Sequence, residues 1–167
     1  MAPSAPKPRP SKPAKAAKPT PLDEDSEPVR RGKVGSRAPA GPKPALKPGD
    51  RALREFAILA AQLLDDRHCE DIRLMDVRGL SQVCDYVLLG SGTSDRQMKS
   101  VAAELEDLGA EHQNRVFRSS RDTGGTWIVI DFVDLVAHLF EPAQRAYYDI
   151  ETLWSDAERV EWKRRGA

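Results

Sequence analysis

From residue 50 onward the apolar positions switch between two periods. Leu53, Phe56, Ala57, Ala60 and Leu64 recur on one helix face, which predicts an amphipathic helix from an Asp50 N-cap to about His68. Ile72 to Val77 reads as a strand, and Asp85 to Leu89 as a second one apolar on both faces. Gly90-Ser91-Gly92-Thr93-Ser94 then leads into a second helix. Ser94 and Gln97 there have capping-box spacing, and Met98, Val101, Leu105 and Leu108 form the apolar stripe. Gly109 is placed to end that helix at C′.

Asn114 to Ser119 reads as a polar, basic edge strand, and Thr123-Gly124-Gly125 as the turn out of it. Trp127 to Phe132 is the most β-prone run, and Leu135 to Phe140 follows after a short link. Glu141-Pro142 opens a last helical segment that carries Arg145, Tyr147 and Tyr148 and leads into Ile150, Leu153 and Trp154. This order predicts an α/β fold: a single domain with a mixed β-sheet of about five strands packed against helices.

Composition divides the chain. Residues 1–49 hold twelve of the thirteen prolines, with eleven Lys/Arg against four Asp/Glu and few large apolar residues. Such a segment buries too little to offset its ordering entropy, so a disordered basic Pro-rich tail is expected at 1–49, the domain at 50–160 and a short tail at 161–167. Residues 50–167 carry fifteen basic against twenty-two acidic groups, which suits a basic protein partner better than a phosphate backbone. The tail itself is suited to skim an anionic surface. Its Arg/Lys/Ala content resembles a transit peptide, but its proline density opposes the amphipathic helix such a peptide needs.

Cys69 and Cys84 lack zinc-site spacing and read as reduced core thiols of a cytosolic protein. There is no apolar h-region at the N-terminus and no apolar run long enough to span a bilayer.

Five segments in order then carry a resemblance. They are Asp85-Tyr86, Gly90 to Gln97, Gly125 to Phe132, Val136 to Phe140, and Arg145 to Trp154. Together they resemble the ribosomal silencing factor RsfS (Iojap-like) family over roughly residues 50–160. The resemblance implies a compact α/β domain that binds the conserved fourteenth protein of the large ribosomal subunit at the intersubunit face. There it would block joining of the small subunit and lower translation when nutrients are short. Chloroplast and mitochondrial relatives are linked to large-subunit assembly, which makes an assembly factor the alternative. Val87 and Ala137 depart from the family pattern, apolar for apolar. The Pro/Lys tail lies outside the resemblance.

Other chemistry is weaker. Gly90-Ser91-Gly92 before a helix N-terminus could cradle a phosphate but lacks the P-loop ending, and reads as a tight turn. A nucleotidyltransferase would need paired carboxylates, and Asp131 and Asp134 are expected to face different directions. No catalytic residue, cofactor or metal ligand is assigned. The partner-binding candidates are Trp127, Asp131, His138, Arg145, Tyr148, Leu153 and Trp154, since Trp, Tyr and Arg dominate interface hot spots. Acidic neighbours Asp131, Asp134, Glu141, Asp149 and Glu151 would orient docking on a basic protein. The expected partner is the large subunit through its fourteenth protein, with a weak ribosomal RNA contact from the tail, no membrane, and a free monomer or homodimer in the cytoplasm.

Overall fold

The computed structural model describes residues 48–164. In chain order the elements are α1 (Pro48–Asp66), β1 (Glu70–Asp76), β2 (Tyr86–Ser91), α2 (Asp95–Glu111), β3 (Arg118–Arg121), β4 (Trp127–Asp131), β5 (Leu135–Phe140), α3 (Pro142–Tyr148), α4 (Ile150–Leu153) and β6 (Glu158–Arg159). The strands form one mixed sheet in the order β3-β4-β5-β2-β1-β6. Its central pair, β2 with β5, is parallel, from Tyr86 opposite Leu135 to Ser91 opposite Phe140. The other pairs are antiparallel.

The fold class stands as expected, with one strand more. Glu158–Arg159 adds a two-residue edge to β1, too short to show any period. The expected tail 1–49 lies outside the described residues except for its last two, which already belong to α1. Asp50 therefore sits in the first turn of α1 rather than at its N-cap. At the other end His68 turns left-handed at φ 59°. The amide of Cys69 then reaches back to Leu64 O at 2.9 Å and that of His68 to Asp65 O at 2.9 Å, a Schellman closure.

Strand alternation sorts the side chains into two cores. Tyr86, Leu88, Ile128, Ile130, Leu135, Ala137 and Leu139 face the apolar stripes of α1 (Phe56, Ala57, Ala60, Leu64) and α2 (Met98, Val101, Leu105). Met75, Val77, Val87, Leu89 and Phe140 face the other way and are met by Ile150 and Trp154 of the shorter C-terminal helices. One face of the sheet thus lies under two long helices, the other under two short ones.

Two helix ends differ from expectation. Gly109 does not end α2, which runs on to Glu111 with Gly109 buried in it. A Cβ there would stand 2.5 Å from both Asn114 O and Phe132 Cε1, so the glycine serves close packing against the returning chain. The last helical segment is broken at Asp149, whose φ of 42° separates α3 from α4. The expected edge strand at Asn114 to Ser119 begins later, at Arg118, because the chain is still leaving α2.

Residues 161–164, expected in a short tail, run along the domain. Gln62 Nε2 donates to Trp162 O at 2.8 Å and Arg164 forks onto Asp66 at 2.8 and 2.9 Å. Trp162 packs on the larger core. Cys69 and Cys84 are free and buried, as read, and burial pushes the Cys69 thiol up to about 11. No helix among the described residues is long and apolar enough to cross a membrane.

Candidate functional site

The face under the short helices carries the candidate site. On β4 and β5, period-two alternation turns Trp127, Val129 and Asp131 to the same side as Phe140, His138 and Val136, their partners across the ladder. All of these except buried Phe140 are half-buried. Among the described residues, Ile150, Trp154 and Ala157 pack against the core on this side.

Trp127 is the centre of an aromatic group. Its ring lies 5.1 Å from Phe140, 6.0 Å from His138 and 4.7 Å from Tyr148. Tyr147 meets Tyr148 edge-on at 5.1 Å. The indole Nε1 donates to His138 Nδ1 at 3.3 Å, so that nitrogen is the acceptor and the ring proton sits on Nε2. Burial pushes the His138 pKa down to about 4, which leaves the imidazole neutral at physiological pH. The outer layer is apolar and exposed: Tyr147 80%, Leu153 65% and Tyr148 48%.

The structure therefore brings Trp127, His138 and Tyr148 into contact, with Leu153 exposed on the following helix. Trp154 is half-buried and packs onto the second core. Asp131 stands at the end of β4, and its Oδ1 accepts the Val133 amide at 2.7 Å, holding a turn in which Val133 has φ 76°. Asp134 O accepts from the amides of Asp85 and Tyr86 at 2.8 and 2.9 Å. Burial first, then the Asp134 charge, raise the Asp85 carboxyl above its ordinary value. Asp85, Asp131 and Asp134 give this end of the sheet an acidic rim.

Arg145 is the correction. It is buried, with Nε 2.8 Å from Glu151 Oε1 and Nη1 2.8 Å from Ser91 Oγ, and it pins α3 and α4 onto the end of β2. Its guanidinium is turned inward onto Glu151 and Ser91 rather than out to solvent. Glu151, also bound to Arg73 at 3.6 Å, is likewise removed from the acidic surface. Conversely Val129, Val136 and Tyr147 belong to the surface and were not among the candidates. The i, i+2 parity from Trp127 and His138 carries the signal for the two valines.

The glycine turn has a structural task. The Gly92 amide donates to Phe140 O at 2.8 Å and the Thr93 amide to Gln97 Oε1 at 2.7 Å. The Gln97 amide donates to Ser94 Oγ at 3.2 Å. Only this half of the expected capping box forms, because Gln97 Oε1 accepts the amide of Thr93 rather than that of Ser94, while its Nε2 donates to Arg67 O at 2.7 Å. The Gly92, Thr93 and Gln97 amides are thus engaged within the turn and cap. No group of three or more His, Cys, Asp or Glu able to hold a metal occurs among the described residues.

These features define a small mixed α/β domain with one sheet face sealed by long helices and the other partly open, aromatic and acid-rimmed. The family model described as "Ribosomal silencing factor during starvation", RsfS, matches residues 50–166, and the chain belongs to that family. The ribosomal silencing factor RsfS of Bacillus subtilis is 37% identical over 99 residues, covering 59% of this chain and 84% of that protein. The chloroplastic protein Iojap of Zea mays is 28% identical over 134 residues, 79% of this chain and 58% of that protein. A crystal structure of a Chromobacterium violaceum protein superposes with a TM-score of 0.58 at 30% identity, covering 68% of this chain and 94% of that one.

Proposed function

We propose that this domain binds the large ribosomal subunit through the subunit's conserved fourteenth protein, and that its bulk there keeps the small subunit from joining. Occupancy is the whole mechanism: no bond is made or broken, and the work is done in the cytoplasm when nutrients are scarce. The observation that carries this reading is the part-open face on which Trp127, in ring contact with exposed Tyr148, stands at one end of β4 and Asp131 at the other, with Asp85 and Asp134 at the start of β2 and β5. Exposed aromatics flanked by charge are the composition of a protein-binding hot spot. Asp85, Asp131 and Asp134 would draw in a basic partner.

The test is sucrose-gradient sedimentation of salt-washed subunits with and without the purified chain. Comigration with the large subunit and loss of joined particles is the expected result. Normal joining with no bound protein would refute the reading.

A second reading has one observation behind it. A mouse relative named "Mitochondrial assembly of ribosomal large subunit protein 1" is 29% identical over 113 residues, 65% of this chain and 49% of that protein. If assembly is the main task here, the same surface is used, and deletion leaves large-subunit precursors accumulating during rapid growth.

A further inference from the structure

The free edge of the sheet has the opposite charge to the domain that carries it. β3 is an outermost strand whose four residues are all exposed. Arg115, Arg118 and Arg121 fall within seven residues, and none forms an ion pair among the described residues. Many other arginines are held: Arg67 by Glu104, Arg78 by Asp76, Arg145 by Glu151, Arg164 by Asp66. Between the first two free ones, Phe117 is 75% exposed, beside an edge with no apolar cover.

Alternation places the charges on both sides of this edge. Arg118 is opposite Asp131 on the aromatic face, while Arg121 is opposite Ile128, whose side chain turns to the helices. There a groove of about 620 Å³ separates β3 from α2, with Lys99 and Arg121 in its walls and Ser119 and Ser120 between them. Three carboxylates are near. Glu106 lines the groove, Asp131 holds the Val133 amide, and Asp122 is taken up by Thr126 Oγ1 at 2.8 Å and the Trp127 amide at 2.8 Å.

Unpaired guanidinium groups favour phosphate oxygens, and an exposed ring offers a base a stacking platform. We propose that this edge contacts looped or single-stranded RNA, with Arg115, Arg118 and Arg121 reaching its phosphates from both sides of the edge and a base stacked on Phe117. The inference rests on the edge alone and does not depend on the ribosome reading. Arginines on an edge strand also guard against edge-to-edge pairing of copies. That role makes a different prediction, so the experiment separates them.

The probe is a fluorescent single-stranded RNA of roughly twelve nucleotides, bound to the full chain and followed by anisotropy between about 50 and 200 mM salt. The variant R115Q/R118Q/R121Q should lose about tenfold or more in affinity at the low-salt end. Its log–log salt slope should be flatter by about 2, three phosphate contacts at roughly 0.7 each. Phe117→Ala should lose several-fold at an unchanged slope. Arg51→Gln with Arg159→Gln, exposed arginines elsewhere, should change neither quantity.

Wild-type affinity in the triple variant, or an equal loss in the control pair, would overturn the proposal. So would self-association of the triple variant in sedimentation velocity at unchanged RNA affinity, which would make the arginines edge guards. Poly-glutamate competing as well as RNA of equal charge would do the same. Co-sedimentation of Trp127→Ala with large subunits probes the aromatic face separately, so either surface can fail without the other.

Discussion

Trp127 and His138, on neighbouring strands, fix each other: the indole N–H donates to Nδ1 at 3.3 Å while the two rings stack at an interplanar angle of 26°. Protonating Nδ1 would set N–H against N–H. Burial favours the neutral imidazole and pushes the ring's pKa down to about 4.

A pH dependence follows, and its sign is fixed. Well above about pH 6.5 His138 is neutral folded and unfolded, so it contributes no slope. As pH falls from there towards 4 the unfolded chain takes up the proton first. Stability is therefore lost, by a total on the order of 3 kcal/mol. Urea unfolding from pH 7 to pH 4.5 should show this loss in the wild type, and His138→Phe should lack that part of it. Parallel curves for the two proteins would contradict the assignment.

Asp131 has two tasks that substitution can separate. Asp131→Asn keeps an oxygen for the Val133 amide and removes the charge. It should weaken association with large subunits while moving stability by less than about 0.5 kcal/mol. Asp131→Lys removes both and should cost roughly 1 kcal/mol in addition to its binding defect. Equal loss of folding and binding in the asparagine variant would take Asp131 out of the interface.

Gly109 reverses the usual helix rule. Alanine at a mid-helix glycine normally gains about 1 kcal/mol. Here the new methyl would meet Asn114 O and the Phe132 ring at 2.5 Å. Gly109→Ala should therefore destabilise, by about 1–2 kcal/mol net. A raised midpoint in chemical denaturation would show that the loop after α2 gives way freely.

Arg145→Met should behave as a core lesion. It leaves Glu151 and Ser91 Oγ without their buried donor and should cost about 3 kcal/mol. Below its melting temperature the surviving folded protein should still sediment with large subunits. A binding defect in a variant of normal stability would restore Arg145 to the interface.

The sequence was most readable where one period ran unbroken. Leu135–Phe140 is the strand expected, to the residue, and the stripes of α1 and α2 face the larger core as their spacing required. What escaped had competing physical causes. Gly109 carries the composition of a C-cap, yet the close return of Asn114 and Phe132 needs the same absent Cβ inside the helix. Arg145 sits in an aromatic segment of hot-spot composition, but its partners Ser91 and Glu151 are joined to it only by the fold. Two-residue β6 has no period at all and exists through its pairing with β1. Trp127, His138 and Tyr148 were candidates by composition and resemblance, and it is the pairing of β4 with β5 and the turn into α3 that puts their rings in contact.

The central parallel pair also has a kinetic side. β2 and β5 meet with α2, β3 and β4 between them in the chain, so a long loop must close before the two middle strands can bond. Neither long helix has a complete sheet to lie on until that happens, since the larger core draws on Tyr86 and Leu88 from one strand and Leu135 and Leu139 from the other. The β3–β4–β5 meander can form earlier, from local contacts. Folding of this domain should therefore be limited by the docking of β2 beside β5, on the slower side of what its length would suggest.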